Sequence, residues 1–188
     1  MRAGRLEVGC GFLLAAAARV FFGGRETLLC LAAASAVHEA GHLAALRAFG
    51  VRAEKIKLGV SGAVIAADTS RLTFAREALA AAAGPAAGLA AAFAFARFFP
   101  AFAGTSAALS LFNLLPCGSF DGGRILRAVL LAFASPRAAD TVLTLTTCAA
   151  VFAFTVLAVL AGTPAASVTF LVTAVCASAG LTRGDIIK

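Results

Sequence analysis

Both histidines of the chain fall in one stretch, His38-Glu39-Ala40-Gly41-His42. On a helix, residues four apart share a face, so the two imidazoles can turn their nitrogens toward one Zn2+, with the Glu39 carboxylate beside them as a general base. Such a set suits metal-assisted hydrolysis. The competing reading is a chance His-x-x-x-His on a helix, or two histidines that only hydrogen-bond to neighbouring helices. The surroundings weigh against it. The motif lies in an apolar segment long enough to cross a bilayer, where each charged group costs about 2.5–3.5 kcal/mol on insertion scales.

A tetrahedral zinc that keeps one position for water needs a third protein ligand. Besides Glu39, the acidic residue set deep in an apolar segment is Asp121, in Asn113-Leu-Leu-Pro116-Cys-Gly-Ser-Phe-Asp121-Gly122-Gly123-Arg124. Pro116, Gly118, Gly122 and Gly123 break or kink a helix there. Broken backbone at membrane depth is tolerated where it is buried in protein or lines a wet cavity. The alternative for Asp121 is an N-cap on the helix that begins Gly-Gly-Arg-Ile-Leu, and capping is compatible with ligation. Two histidines and a carboxylate can also hold non-haem iron, but a base adjacent to a ligand on a helix favours zinc hydrolysis, with one Zn2+ per chain.

These residues need apolar helices to position them. Hydrophobic residues make up 61% of the chain and charged residues 13%, with mean hydropathy +0.96, so an integral membrane protein is expected. Six segments offer about 20 mostly apolar residues each: 8–23, 27–49, 77–99, 104–131, 138–161 and 163–181. The first is short and contains Arg19, and no small-residue cleavage site follows it to make it a signal peptide. With six spans, the N-terminus, the 50–76 connection, the 132–137 turn and the C-terminus share one side, which carries Arg2, Arg5, Arg52, Lys55, Lys57, Arg71, Arg76, Arg137, Arg183 and Lys188. The positive-inside rule then makes both termini cytoplasmic in a multi-pass protein of the cell membrane. The net charge of +7 reflects this asymmetry, and a nucleic-acid partner is not expected.

Residues 54–67 alternate and then turn at Ser61-Gly62 into a second apolar run, which predicts a cytoplasmic-side β-hairpin between the second and third spans. Its edge could receive an extended substrate by strand addition, or it could rest on the anionic leaflet through Arg52, Lys55 and Lys57. Cys10, Cys30, Cys117, Cys148 and Cys176 are scattered, with no paired spacing, and read as small hydrophobes.

The two motifs together, His38-Glu39-Ala40-Gly41-His42 and Asn113-Leu-Leu-Pro116 followed by Phe120-Asp121-Gly122-Gly123-Arg124-Ile-Leu, resemble the site-2 protease family of intramembrane zinc metalloproteases. The branch they resemble most is the stage IV sporulation protein FB type, with a compact six-span core. Ala83-Gly84-Pro85 is similar to that family's Gly-Pro at the start of its third core helix. The resemblance implies an all-α membrane fold over residues 1–188 as a single intramembrane metalloprotease domain, without an appended regulatory or peptide-binding domain. It implies His38, His42 and Asp121 as zinc ligands and Glu39 as the base, with Asn113 binding substrate or the oxyanion, or else packing between helices. It also implies a membrane-tethered protein substrate, regulatory membrane proteins as possible partners, and a role in regulated intramembrane proteolysis such as sporulation. Two departures stand out: the pattern's Asn three residues after the Pro is Gly88 here, and the prolines common before the Asp are Gly118 and Ser119.

Three functions are open from sequence: an intramembrane zinc endopeptidase, a divalent-cation transporter, and a catalytically silent protease-like binding partner. A transporter of the inverted-repeat kind would show broken segments in both halves, and a silent homologue would lack Glu39 or a ligand. The chain shows neither, so the peptidase is the expectation.

Overall fold

Alanine, leucine and phenylalanine runs set between charged connections give a chain of apolar helices, and a computed structural model describes residues 5–8, 10–51, 53–59, 62–67, 72–118 and 120–160 of it. In order these form β1 (Arg5–Val8), α1 (Cys10–Ala48), β2 (Ala53–Gly59), β3 (Gly62–Ala67), α2 (Phe74–Phe95), α3 (Pro100–Asn113), α4 (Asp121–Phe133) and α5 (Pro136–Leu160). The chain divides into two units, Met1–Asn113 and Leu114–Lys188.

In the first unit β1, β2 and β3 make a three-stranded sheet in that order. β1 lies parallel to β2 with Arg5 opposite Lys55, and β2 lies antiparallel to β3 with Gly59 opposite Gly62. α1 is one helical stretch of 39 residues, which if straight would hold its ends about 58 Å apart. β1 ends two residues before it and β2 begins five residues after it, so their pairing rules out a straight rod. Gly23-Gly24 is the kind of pair at which helices bend. The expected spans 8–23 and 27–49 are therefore limbs of one bent helical stretch, not two helices with a loop between. The Gly24-Arg25-Glu26 junction contains no Pro, and Arg and Glu are good helix formers, so nothing there ends the helix.

α1 stops in a Schellman motif: Gly50, at φ 77°, donates its N–H to Arg47 O at 3.0 Å, and Val51 donates to Leu46 O at 2.9 Å. α2 begins at the cap Thr73, whose hydroxyl accepts from Arg76 N, and it carries Pro85 in its interior. Small residues let the helices close on one another, as at Gly41, where a methyl group would fall on Ala83 O and 2.7 Å from the Ala87 Cβ.

The expected fourth span, 104–131, is two helices. α3 ends at Asn113 and α4 starts at Asp121, because Pro116 lacks an N–H and Gly118 lacks helix propensity. Among the described residues three helices are long and apolar enough to cross a membrane, Arg25–Ala48, Phe74–Phe95 and Pro136–Leu157, in place of the six expected. The sixth segment, 163–181, lies outside the described residues. Only 6% of the Pro136–Leu157 window is buried inside the protein, so its apolar surface needs lipid as solvent. The protein is membrane-embedded.

In the second unit α5 begins with Pro136 at its first position and Ser135 Oγ accepting from Ala138 N. Arg127 on α4 donates Nε–H to Asp140 on α5 at 3.0 Å.

Candidate functional site

In the first unit, His38 and His42 stand one turn apart on α1 and are 4% and 6% exposed. Their Nε2 atoms approach to 3.2 Å with the rings edge to face. The neighbouring helix decides the tautomer. His42 Nδ1 lies 2.8 Å from Ala80 O on α2, and a carbonyl only accepts, so Nδ1 carries the proton and donates. The Nε2 of a neutral His42 is then left with its lone pair, aimed at the same point as His38 Nε2. A histidine whose other nitrogen is held by a backbone carbonyl is the usual form of an oriented metal ligand. Glu39 is half-buried and, three residues before His42, shares that side of the helix.

α2 is shaped to receive the imidazole. A Cβ on Gly84 would land on the Nε2, Cε1 and Cδ2 atoms of His42, so only glycine leaves room for the ring. The sequence singled out Ala83-Gly84-Pro85 as a motif, but not this contact, which joins residues 42 positions apart. One turn on, a Cβ on Gly88 would land on Ser110 Oγ of α3, while Ser106 Oγ donates to Gly88 O at 2.9 Å. The departure at position 88 thus has a structural counterpart: the volume a side chain would fill is taken by Ser110. Asn113, at the end of α3, gives its Nδ2–H to Leu109 O at 2.9 Å, within its own helix.

In the second unit, Asp121 is the first residue of α4 and is 8% exposed. It is not the N-cap considered as its alternative role. Phe120 holds that position without a side-chain bond, and its carbonyl accepts from Gly123 N and Arg124 N. A carboxylate in the first turn meets the positive end of the helix dipole, and Arg124 Nη1 lies 3.7 Å from its Oδ1. The two glycines after Asp121 let the preceding loop fold onto the helix start: a Cβ on Gly122 would fall on Leu114 O, and one on Gly123 on Cys117 O. Cys117 is fully buried in that loop, in keeping with a small hydrophobe. Gly118 donates its N–H to Thr147 Oγ1 at 3.0 Å, and that hydroxyl donates onward to Leu143 O at 2.7 Å. Thr147, 1% exposed on α5, therefore pins the loop before Asp121, a role that no local sequence signal announced.

Residues 88–158 match the family model described as Peptidase family M50. That match spans Asn113, Asp121 and Thr147 and stops short of His38 and His42, whose assignment rests on their own geometry. It supports a metalloprotease. The fold is similar to that of the Site-2 Protease from Methanocaldococcus jannaschii, with a TM-score of 0.78 at 18% sequence identity, over 97% of this chain and 91% of that chain. No curated protein matches the chain.

Proposed function

We propose that this M50-like chain is an intramembrane zinc metalloendopeptidase acting on membrane-associated proteins, with His38, His42 and Asp121 as zinc ligands and Glu39 as the base. The observation that carries the reading is the convergence of the two Nε2 atoms at 3.2 Å, with the His42 tautomer fixed by Ala80 O. The donor set fits the ion: two neutral imidazoles and a buried carboxylate leave a fourth, open position. Bound there, zinc supplies Lewis-acid polarisation of the scissile carbonyl and a water that ionises near pH 7.

The chain's own groups supply the rest. The Glu39 carboxylate takes a proton from the attacking water, whose oxygen bonds to the carbonyl carbon, and returns it to the amide nitrogen as the C–N bond breaks. The apolar surroundings exclude bulk water and strengthen these interactions. Asn113 keeps one amide hydrogen beyond the bond to Leu109 O and stands as a candidate substrate contact.

The peptide has to be extended to be cut, and the outer edge of β3 suits main-chain pairing with it. The pairing of Arg5–Val8 with β2 supports an N-terminus on the same side as the 50–76 connection, and the Lys and Arg of both favour the cytoplasm. The stage IV sporulation protein FB type remains the branch the residue pattern resembles, with a membrane-tethered precursor as substrate and membrane proteins as regulators.

The test compares purified wild type with Glu39→Gln for zinc content and cleavage of a membrane-tethered model substrate. Wild type should hold about one zinc and cut, while Glu39→Gln holds zinc and is slower by about 10²–10⁴-fold. Metal flux across proteoliposomes with no cleavage would replace the peptidase by a transporter.

A further inference from the structure

We infer that Ser110 is a substrate-binding residue whose hydroxyl donates a hydrogen bond to a backbone carbonyl of the peptide beside the scissile bond, an inference that rests on the peptidase reading. Three hydroxyl or amide residues, Ser106, Ser110 and Asn113, recur along one face of α3 at helical spacing. Two are engaged within the protein, Ser106 with Gly88 O and Asn113 with Leu109 O. Ser110 is different. It is 0% exposed, and its Oγ has no hydrogen-bond partner among the described residues.

A buried hydroxyl left unmade carries its full desolvation penalty, and alanine, the better helix former, would pack in the same place without it. The neighbouring helix positions use alanine freely, Ala103 on α3 and Ala81 and Ala92 on α2 among them. A serine kept at such a cost has a partner that arrives later.

Its place says which partner. Ser110 Oγ lies against the position a Cβ of Gly88 would take, and His42 Nε2 against the position a Cβ of Gly84 would take. Gly84 and Gly88 are four apart on α2, so the two contacts fall on one face of that helix, one turn apart. The hydroxyl thus stands one helical turn from the metal-binding nitrogen, comparable to the span of two residues of an extended chain, roughly 6.6 Å. A peptide laid there as a strand puts a carbonyl within its reach while the scissile bond sits at the histidines.

The experiment measures binding of a fluorescent membrane-tethered model substrate to full-length Glu39→Gln protein, with and without Ser110→Ala or Ser110→Cys, alongside zinc content and melting temperature. Loss of one neutral hydrogen bond should weaken binding by about tenfold for Ala, and in the same direction for Cys, a poor donor of similar size, with zinc unchanged and the melting temperature of Ser110→Ala equal to or above wild type. Unchanged affinity would overturn the proposal, as would a fall in melting temperature or zinc content in Ser110→Ala, which would mark the hydroxyl as structural. The outcome is separable from hydrolysis. If wild type fails to cut but Ser110→Ala still weakens binding, the peptidase reading falls and the contact stands. If wild type cuts and Ser110→Ala binds normally, the reverse holds.

Discussion

His42 donates from Nδ1 to the carbonyl oxygen of Ala80 at 2.8 Å, a bond that ties the imidazole on α1 to the backbone of α2. Because the acceptor is main chain, no substitution at position 80 removes it, short of one that moves the helix. The orientation of the ring is therefore set by how closely α2 can approach, and the approach is set by Gly84.

Gly84→Ala should consequently abolish zinc binding while leaving most of the fold in place. The added methyl meets three ring atoms of His42, and overpacking of this kind costs typically about 1–3 kcal/mol. Metal content of the purified variant, read with its melting temperature, checks the expectation. Full zinc occupancy would show that the ring does not need that space.

Gly123→Ala and Gly104→Ala make a matched pair in opposite directions. At Gly123 a methyl collides with Cys117 O, so the loop before Asp121 has to move, and activity and metal content should fall. At Gly104 nothing lies within 4 Å, and helix propensity alone should stabilise the protein by about 0.5–1 kcal/mol with cleavage unchanged. Thermal denaturation and cleavage rates of the two variants side by side are decisive.

Thr147→Val removes the oxygen that accepts from Gly118 N and leaves a backbone donor unpaired, at a cost of about 1–3 kcal/mol. Thr147→Ser keeps the oxygen and should behave as wild type. If the loop has any influence on Asp121, Val should also lower zinc affinity where Ser does not, which a competition titration with a chelator measures.

Asp140→Asn tests the opposite extreme. The Arg127–Asp140 pair is short, at 3.0 Å, but Asp140 has 57% of its side chain exposed, and pairs of that kind contribute about 0–1 kcal/mol. Melting temperature and cleavage should both stay close to wild type, and a large loss would show that the α4–α5 junction depends on it.

How much of this was readable beforehand follows sequence distance. His38, Glu39 and His42 were legible because a four-residue spacing on a helix is a local fact. The break between α3 and α4 is legible in outline, since Pro116 and the glycines forbid a continuous helix, although the apolar run 104–131 extends across it. The bent continuity of α1 was not legible: a Gly-Gly pair permits either a loop or a bend, and the choice depends on β1 pairing with β2, a contact across some 50 positions. The contact of Gly84 with His42, and the parts played by Ser110 and Thr147, escaped for the same reason. Each involves a partner from another element, and even where the local sequence marks a motif, as at Ala83-Gly84-Pro85, it does not name that partner.

The glycine contacts of α2 also bear on motion. With Gly41 closed on Ala83 and Ala87, and Gly84 on His42, α2 is keyed into α1 at two points, and sliding it by a residue would drive side chains into backbone. These two helices behave as a fixed jaw. A protease in a bilayer must still admit its substrate and release it again, so the hinge that opens the enzyme has to be sought outside this keyed pair.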